Sequence, residues 1–373
     1  MNNHPTATRR LRGAWLPLAA VFLLANCSNR PPQPPRPYTA WVANSVSGTV
    51  AVVDLQEMRI LTSIAVPRPI EAKVRPENQE VWVLSATGTA SVIGYPELRV
   101  LRKVFIGGSA ASLIFSRDGR AAYALDPARG DLVFLDAAAG RVAGRVHLTT
   151  GTKYLALTPD GKTLVASESD ADRLAFAEVG SQKLIGTVET GKAPGPLAIL
   201  PNSTQVFVAD TGEKKISVAD LEERKLLANL ETGYVPKSLI LKPDGGELFA
   251  PSADSTLVIL DAFHDDVEQN AAIGIGPATA LIAPKSGTLY IATAGDGNVM
   301  ALDISTRQVL ASTHVGTQPV ALALTPDERY LAVADSGASS LAILRTDPAS
   351  LVATVPVGSG ARAVVIPDWL RKP

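Results

Sequence analysis

Five cations stand just ahead of short apolar runs in this sequence: Arg68, Lys153, Lys192, Lys237 and Arg362. Tyr154, Tyr234 and Gln318 occupy comparable places, and His314 lies just before Gln318. Cations far apart in sequence but gathered at one low-dielectric opening would sum their potentials and hold an anion. These nine residues are the ligand-binding candidates. Catalytic chemistry has thinner support. His264-Asp265-Asp266 with Glu268 offers an imidazole and three carboxylates to a divalent cation, but at a spacing that matches no known metal site. Asp296 in Gly295-Asp296-Gly297-Asn298 is a calcium-loop fragment without its other ligands, and reads better as a hairpin turn. There is no Gly-x-Ser-x-Gly elbow. The one cysteine, Cys27, excludes a disulfide framework, a multi-cysteine zinc site and a Cys-x-x-Cys-His haem attachment. The residues therefore point to binding rather than catalysis, with no metal and no cofactor called for.

The elements that position these side chains come from an ordinary globular composition. The chain has 373 residues, 46% of them apolar, enough for a large core. Charged residues are only 19%, and the formal net charge of -1 gives no electrostatic case for nucleic acid.

The N-terminus reads as an export address. Arg9, Arg10 and Arg12 form a basic region, and residues 13–25 form an apolar run. That run suits a signal peptide and is too short for a spanning helix, which needs about 20 residues. It ends in Leu24-Ala25-Asn26-Cys27, which resembles the lipobox of bacterial lipoproteins. Asn26 departs from the usual small residue. The resemblance implies cleavage after residue 26 and acylation of Cys27. Ser28 following the cysteine implies sorting to the periplasmic side of an outer membrane. Residues 30–37, with five prolines, favour a polyproline II spacer. The expected division is thus a signal peptide over 1–26, an anchor and linker over 27–37, one folded domain over 38–367, and a tail over 368–373.

The folded domain is a repeat. A Pro-Asp-Gly turn or its relic recurs at positions 76, 117, 159, 201, 243, 284, 326 and 367, always 41 or 42 residues apart. Gly107, Gly191, Gly233, Gly274 and Gly316 recur in step, as do Pro69, Pro194, Pro236, Pro277 and Pro319. An acid closes a run at Asp54, Asp136, Glu178, Asp220, Asp261 and Asp303. Within each copy, four short apolar runs alternate with turn residues, and several are apolar on both faces. That is a four-stranded propeller blade whose sheets pack against each other.

Trp41-Val42-Ala43-Asn44-Ser45 followed by Gly48-Thr49-Val50-Ala51-Val52-Val53-Asp54 resembles the repeat line of YVTN-family β-propellers, and Tyr290-Ile291-Ala292-Thr293 and Leu331-Ala332-Val333-Ala334-Asp335 repeat it. The resemblance implies an all-β propeller. The spacing gives eight blades, with seven as the alternative if a terminal copy is degenerate. The chain opens on a second strand near residue 40 and ends on a lone first strand near residue 365, so its two ends are expected to share one blade.

The function expected from these features is an exported, lipid-anchored scaffold or binding module, whose partners are the membrane through its anchor and an envelope protein or small anionic ligand. Resemblance to other propellers leaves two alternatives: a cofactor-handling or redox-associated protein akin to the haem d1 domain, with d1-type haem as cofactor, or a lactonase-like hydrolase.

Overall fold

The computed structural model describes residues 38–369. The expected signal peptide, Cys27 and the proline spacer lie outside the described residues.

Thirty-two strands form eight four-stranded antiparallel sheets. Seven blades are built from consecutive strands. Blade one is not: its outer three strands, Thr39–Asn44, Thr49–Asp54 and Arg59–Ala65, are completed on the inside by Ala361–Val365 from the other end of the chain. Trp41 pairs with Val365 and Val42 with Val364 in that junction. The expected eight-bladed ring with a shared blade is therefore what the chain forms. Closure leaves no unpaired inner edge at either chain end.

The repeat dictates this local structure. In five blades the asparagine or aspartate of the turn between first and second strands accepts the backbone N–H two residues on, as Asp118 does from Arg120 (3.0 Å) and Asp327 from Arg329 (3.1 Å). An aspartate ending the third strand does the same for the following turn in five blades: Asp303 Oδ1, for example, accepts from Ser305 and Thr306 at 2.9 and 2.7 Å. These side chains stand in for missing ladder partners and fix the hairpin register. In all eight blades the pairing of third and fourth strands carries a bulge near the turn, as between Val52 and Val53 or Val92 and Ile93. Such a bulge increases the local twist, which suits an outer strand splayed away from the axis.

The core lies between blades. Trp82 and Leu84 of blade two pack with Leu113, Ala122 and Val133 of blade three in one apolar layer. The second and third strands are buried almost throughout, while fourth strands alternate exposed and buried. This explains why the middle strands lack a polar alternation: both of their faces are covered.

Candidate functional site

In this topology the chain enters every innermost strand on one face of the ring, and the turns between second and third strands emerge there too. We call it the mouth face. Between these loops lies an open cavity of about 700 Å³. Arg68, Lys153, Tyr154 and Arg362 line it, together with Ser45, Val46, Ile70, Ala86, Ala110, Ala111 and Pro127. Four of the nine expected residues thus meet at one opening, three of them cations, and no acidic residue lines it. None of the three cations forms an ion pair with a described residue.

Arg68 is held in a specific way. It lies between Pro67 and Pro69 in the left-handed region, with φ of 44°, a conformation that costs a residue with a Cβ about 1–2 kcal/mol. Its carbonyl accepts from the Ala86 N–H at 3.0 Å, and the Ser85 hydroxyl donates to the Pro67 carbonyl beside it. The same backbone recurs at Ala193 of blade five, with φ of 51° and its carbonyl accepting from the Thr211 N–H at 3.1 Å, so this conformation belongs to the blade entry, and in blade two it places Arg68 in the cavity lining.

The other five expected residues stand elsewhere. Lys192, at the entrance to blade five, is exposed and bonded to Asp172 at 2.5 Å; its ammonium pKa is raised by that hydrogen bond and charge. Lys237 is exposed in blade six without an ion pair to a described residue. Tyr234 is half-buried against the layer between blades five and six. Gln318 accepts a hydrogen bond from the Ser336 hydroxyl at 2.9 Å. His314 ends the outermost strand of blade seven, 3.2 Å from Asn298 Oδ1. It is on the mouth face, but at the perimeter of the ring. His264 sits in a third-to-fourth-strand turn, its Nδ1 2.7 Å from Asp261 Oδ2, and no metal-ligating cluster forms among the described residues.

What sequence reasoning missed is the column of buried polar residues ending each second strand: Asn44, Ser85, Asp126, Glu168, Asp210, Ser252, Thr293 and Asp335. Most of them tie down a loop on the mouth face. Asp126 accepts from the Gly108 and Ser109 N–H groups at 2.9 and 3.1 Å. Burial alone would raise its carboxyl, but these bonds and the Ser109 hydroxyl hold it below the usual range. Asp335 accepts from Thr317 and Gln318, and Glu168 from Thr149. A charge-assisted bond of this kind is worth about 1.5–3 kcal/mol, so the loops that carry the rim are rigid. Glu71 and Lys73, both on the inner strand of blade two, pair at 3.2 Å, and Glu71 also accepts from the Leu113 N–H of blade three at 2.9 Å.

No protein-family model and no curated protein matches the chain. Solved structures do. Dihydro-heme d1 dehydrogenase NirN in complex with DHE is similar over 90% of this chain and 77% of its own, at 15% identity and a TM-score of 0.76. Hydrazine synthase of Kuenenia stuttgartiensis is similar over 68% of this chain and 88% of that one, at 21% identity and a TM-score of 0.57. At these identities the likeness establishes the class, an eight-bladed β-propeller.

Proposed function

We propose that this protein is an exported, lipid-anchored propeller that binds a small anionic ligand at its channel mouth and carries out no chemistry of its own. The observation that carries the reading is the convergence of Arg68, Lys153 and Arg362, unpaired with any described residue, on one cavity without a lining acid. Cations left unpaired around a concave, partly apolar wall raise the local potential together, and that arrangement attracts an anion. Residues 13–25 and Cys27 support export and anchoring, to the periplasmic side of an outer membrane.

A second reading, a cofactor-associated propeller, is favoured by one specific finding: a structural neighbour was solved in complex with DHE. Protein purified from its own host separates the two. Mass spectrometry and an absorbance spectrum should reveal a bound acid, colourless for the first reading and absorbing in the visible for the second. The Lys153→Glu, Arg362→Glu double variant should lose it while keeping its circular dichroism. A double variant that retains the bound acid overturns the mouth as its site. A wild type that carries no acid, and binds neither inorganic phosphate nor simple carboxylates in calorimetry, overturns the function. Labelled palmitate should mark the wild type and not Cys27→Ala.

A further inference from the structure

We infer that the ligand of this mouth is two-ended, with acidic groups on either side of an apolar body. The inference rests on the anion-binding reading above and deepens it. Its basis is where around the ring the cations stand. Arg362 comes from blade one and Arg68 from blade two, while Lys153 comes from blade four. Blade three lies between them. It contributes Ala110, Ala111 and Pro127, none of which has a polar side-chain atom. Ile70 of blade two adjoins that apolar sector, and Val46, on the blade-one side of the mouth, is 76% exposed, a large hydrophobic side chain left open to water.

The wall is therefore divided. Positive charge stands on two sides, about a quarter of the ring apart, and an apolar surface spans the gap. A single inorganic anion would reach one side and leave the other cation unanswered. A fatty monoanion would cover the apolar sector and pair with one side only. A dianion with an apolar middle meets all three.

The test uses the full-length chain in detergent and isothermal titration calorimetry. The probes are hexanedioate to dodecanedioate, the monocarboxylates of equal carbon number, and inorganic phosphate. One dioate length should bind about tenfold or more tighter than its matching monocarboxylate. Arg68→Gly removes the guanidinium while relieving the backbone, so the fold is kept. It should reduce the dioate advantage, Arg362 remaining on that side, while Lys153→Ala, which empties the other side, should erase the advantage and leave monocarboxylate binding. Equal affinity for dioates and monocarboxylates overturns this inference but spares the anion site. Dioate binding unchanged in both variants overturns it as well, by placing the binding elsewhere. Failure of phosphate, monocarboxylates and dioates alike overturns this inference and the anion-binding reading together.

Discussion

Gly316 lies directly against the carboxylate of Asp335. A Cβ on Gly316 would stand 1.5 Å from Asp335 Oδ2, and the same relation recurs between Gly107 and Asp126 at 1.9 Å. At Gly107, Gly191 and Gly316 the glycine and the buried aspartate facing it are one device. The carboxylate must come close enough to accept the N–H groups of Thr317 and Gln318, and only a residue without a side chain lets it.

The first prediction follows from that contact. Gly316→Ala should destabilise the fold by about 2–4 kcal/mol in denaturant melts, because neither the strand nor the loop can give way. Asp335→Ala should also be costly, since it leaves four backbone N–H groups without their acceptor. The double variant should lose less than the sum, as contacting residues do. Strict additivity would show that the clash is absorbed elsewhere.

A second concerns pH. Burial, helped by the nearby Glu213 carboxylate, pushes Asp210 up to about 7, against the Ser217 hydroxyl and Lys215, which pull it down. Asp210 Oδ1 has no partner among the described residues. The folded state thus holds a proton that the unfolded chain releases near pH 4. The stability this contributes is complete below about pH 4 and is lost as pH rises through 7, on the order of 4 kcal/mol in total. Asp210→Asn should flatten that slope and melt higher than wild type at pH 8. An unchanged slope would assign the carboxyl an ordinary pKa.

Third, Glu80 joins two arginines between blades two and three. It accepts from Arg75 at 2.9 Å and from Arg102 at 2.9 and 3.0 Å, while Arg75 also donates to the Gly119 carbonyl. Burial would raise the Glu80 carboxyl, but the bonds from Arg102 and Arg75 hold it below its ordinary value. Glu80→Ala should cost about 3–5 kcal/mol, because Arg75 would remain buried without its partner. A loss under about 1 kcal/mol would indicate that water reaches the guanidinium.

Fourth, removing residues 361–373 takes away the inner strand of blade one and bares the edge of Thr39–Asn44. The truncated chain should melt well below wild type and aggregate on heating, followed by light scattering. Coincident melting curves would mean that the ring does not depend on this strand.

Much of the fold was legible, because a propeller repeats its turns. Pro159-Asp160-Gly161 and Pro243-Asp244-Gly245 mark equivalent hairpins, and counting them gave the blades and the shared one. The site was legible only in part. The repeat marks which positions reach the mouth face, and on that ground Arg68, Lys153, Tyr154 and Arg362 were found. It carries no record of what a neighbouring blade places opposite. Asp172, which takes up Lys192, lies in a turn of blade four with no periodic counterpart. His314 has the right face and the wrong radius: nearness in sequence to an inner strand does not distinguish rim from perimeter. Ser45 and Val46 went unread because their turn reaches the cavity from the opposite end of the blade's sequence order. The polar column was present in the residues ending each repeat line, Asn44, Thr293 and Asp335, but as a strand ending it signalled no contact.

Arg362 belongs to the strand that closes the ring. The mouth is therefore incomplete until the last part of the chain has paired with the first, and any anion bound there is held partly by the seam itself. Occupancy and closure are thermodynamically linked: a ligand that engages Arg362 binds the sealed ring and not the open one, so it must stabilise the seam by RT ln(1 + [L]/Kd). Opening at blade one would in turn release the ligand. The seam and the proposed site would thus report on each other. Amide exchange in Ala361–Val365 should slow as the site fills, with little change in the blades opposite.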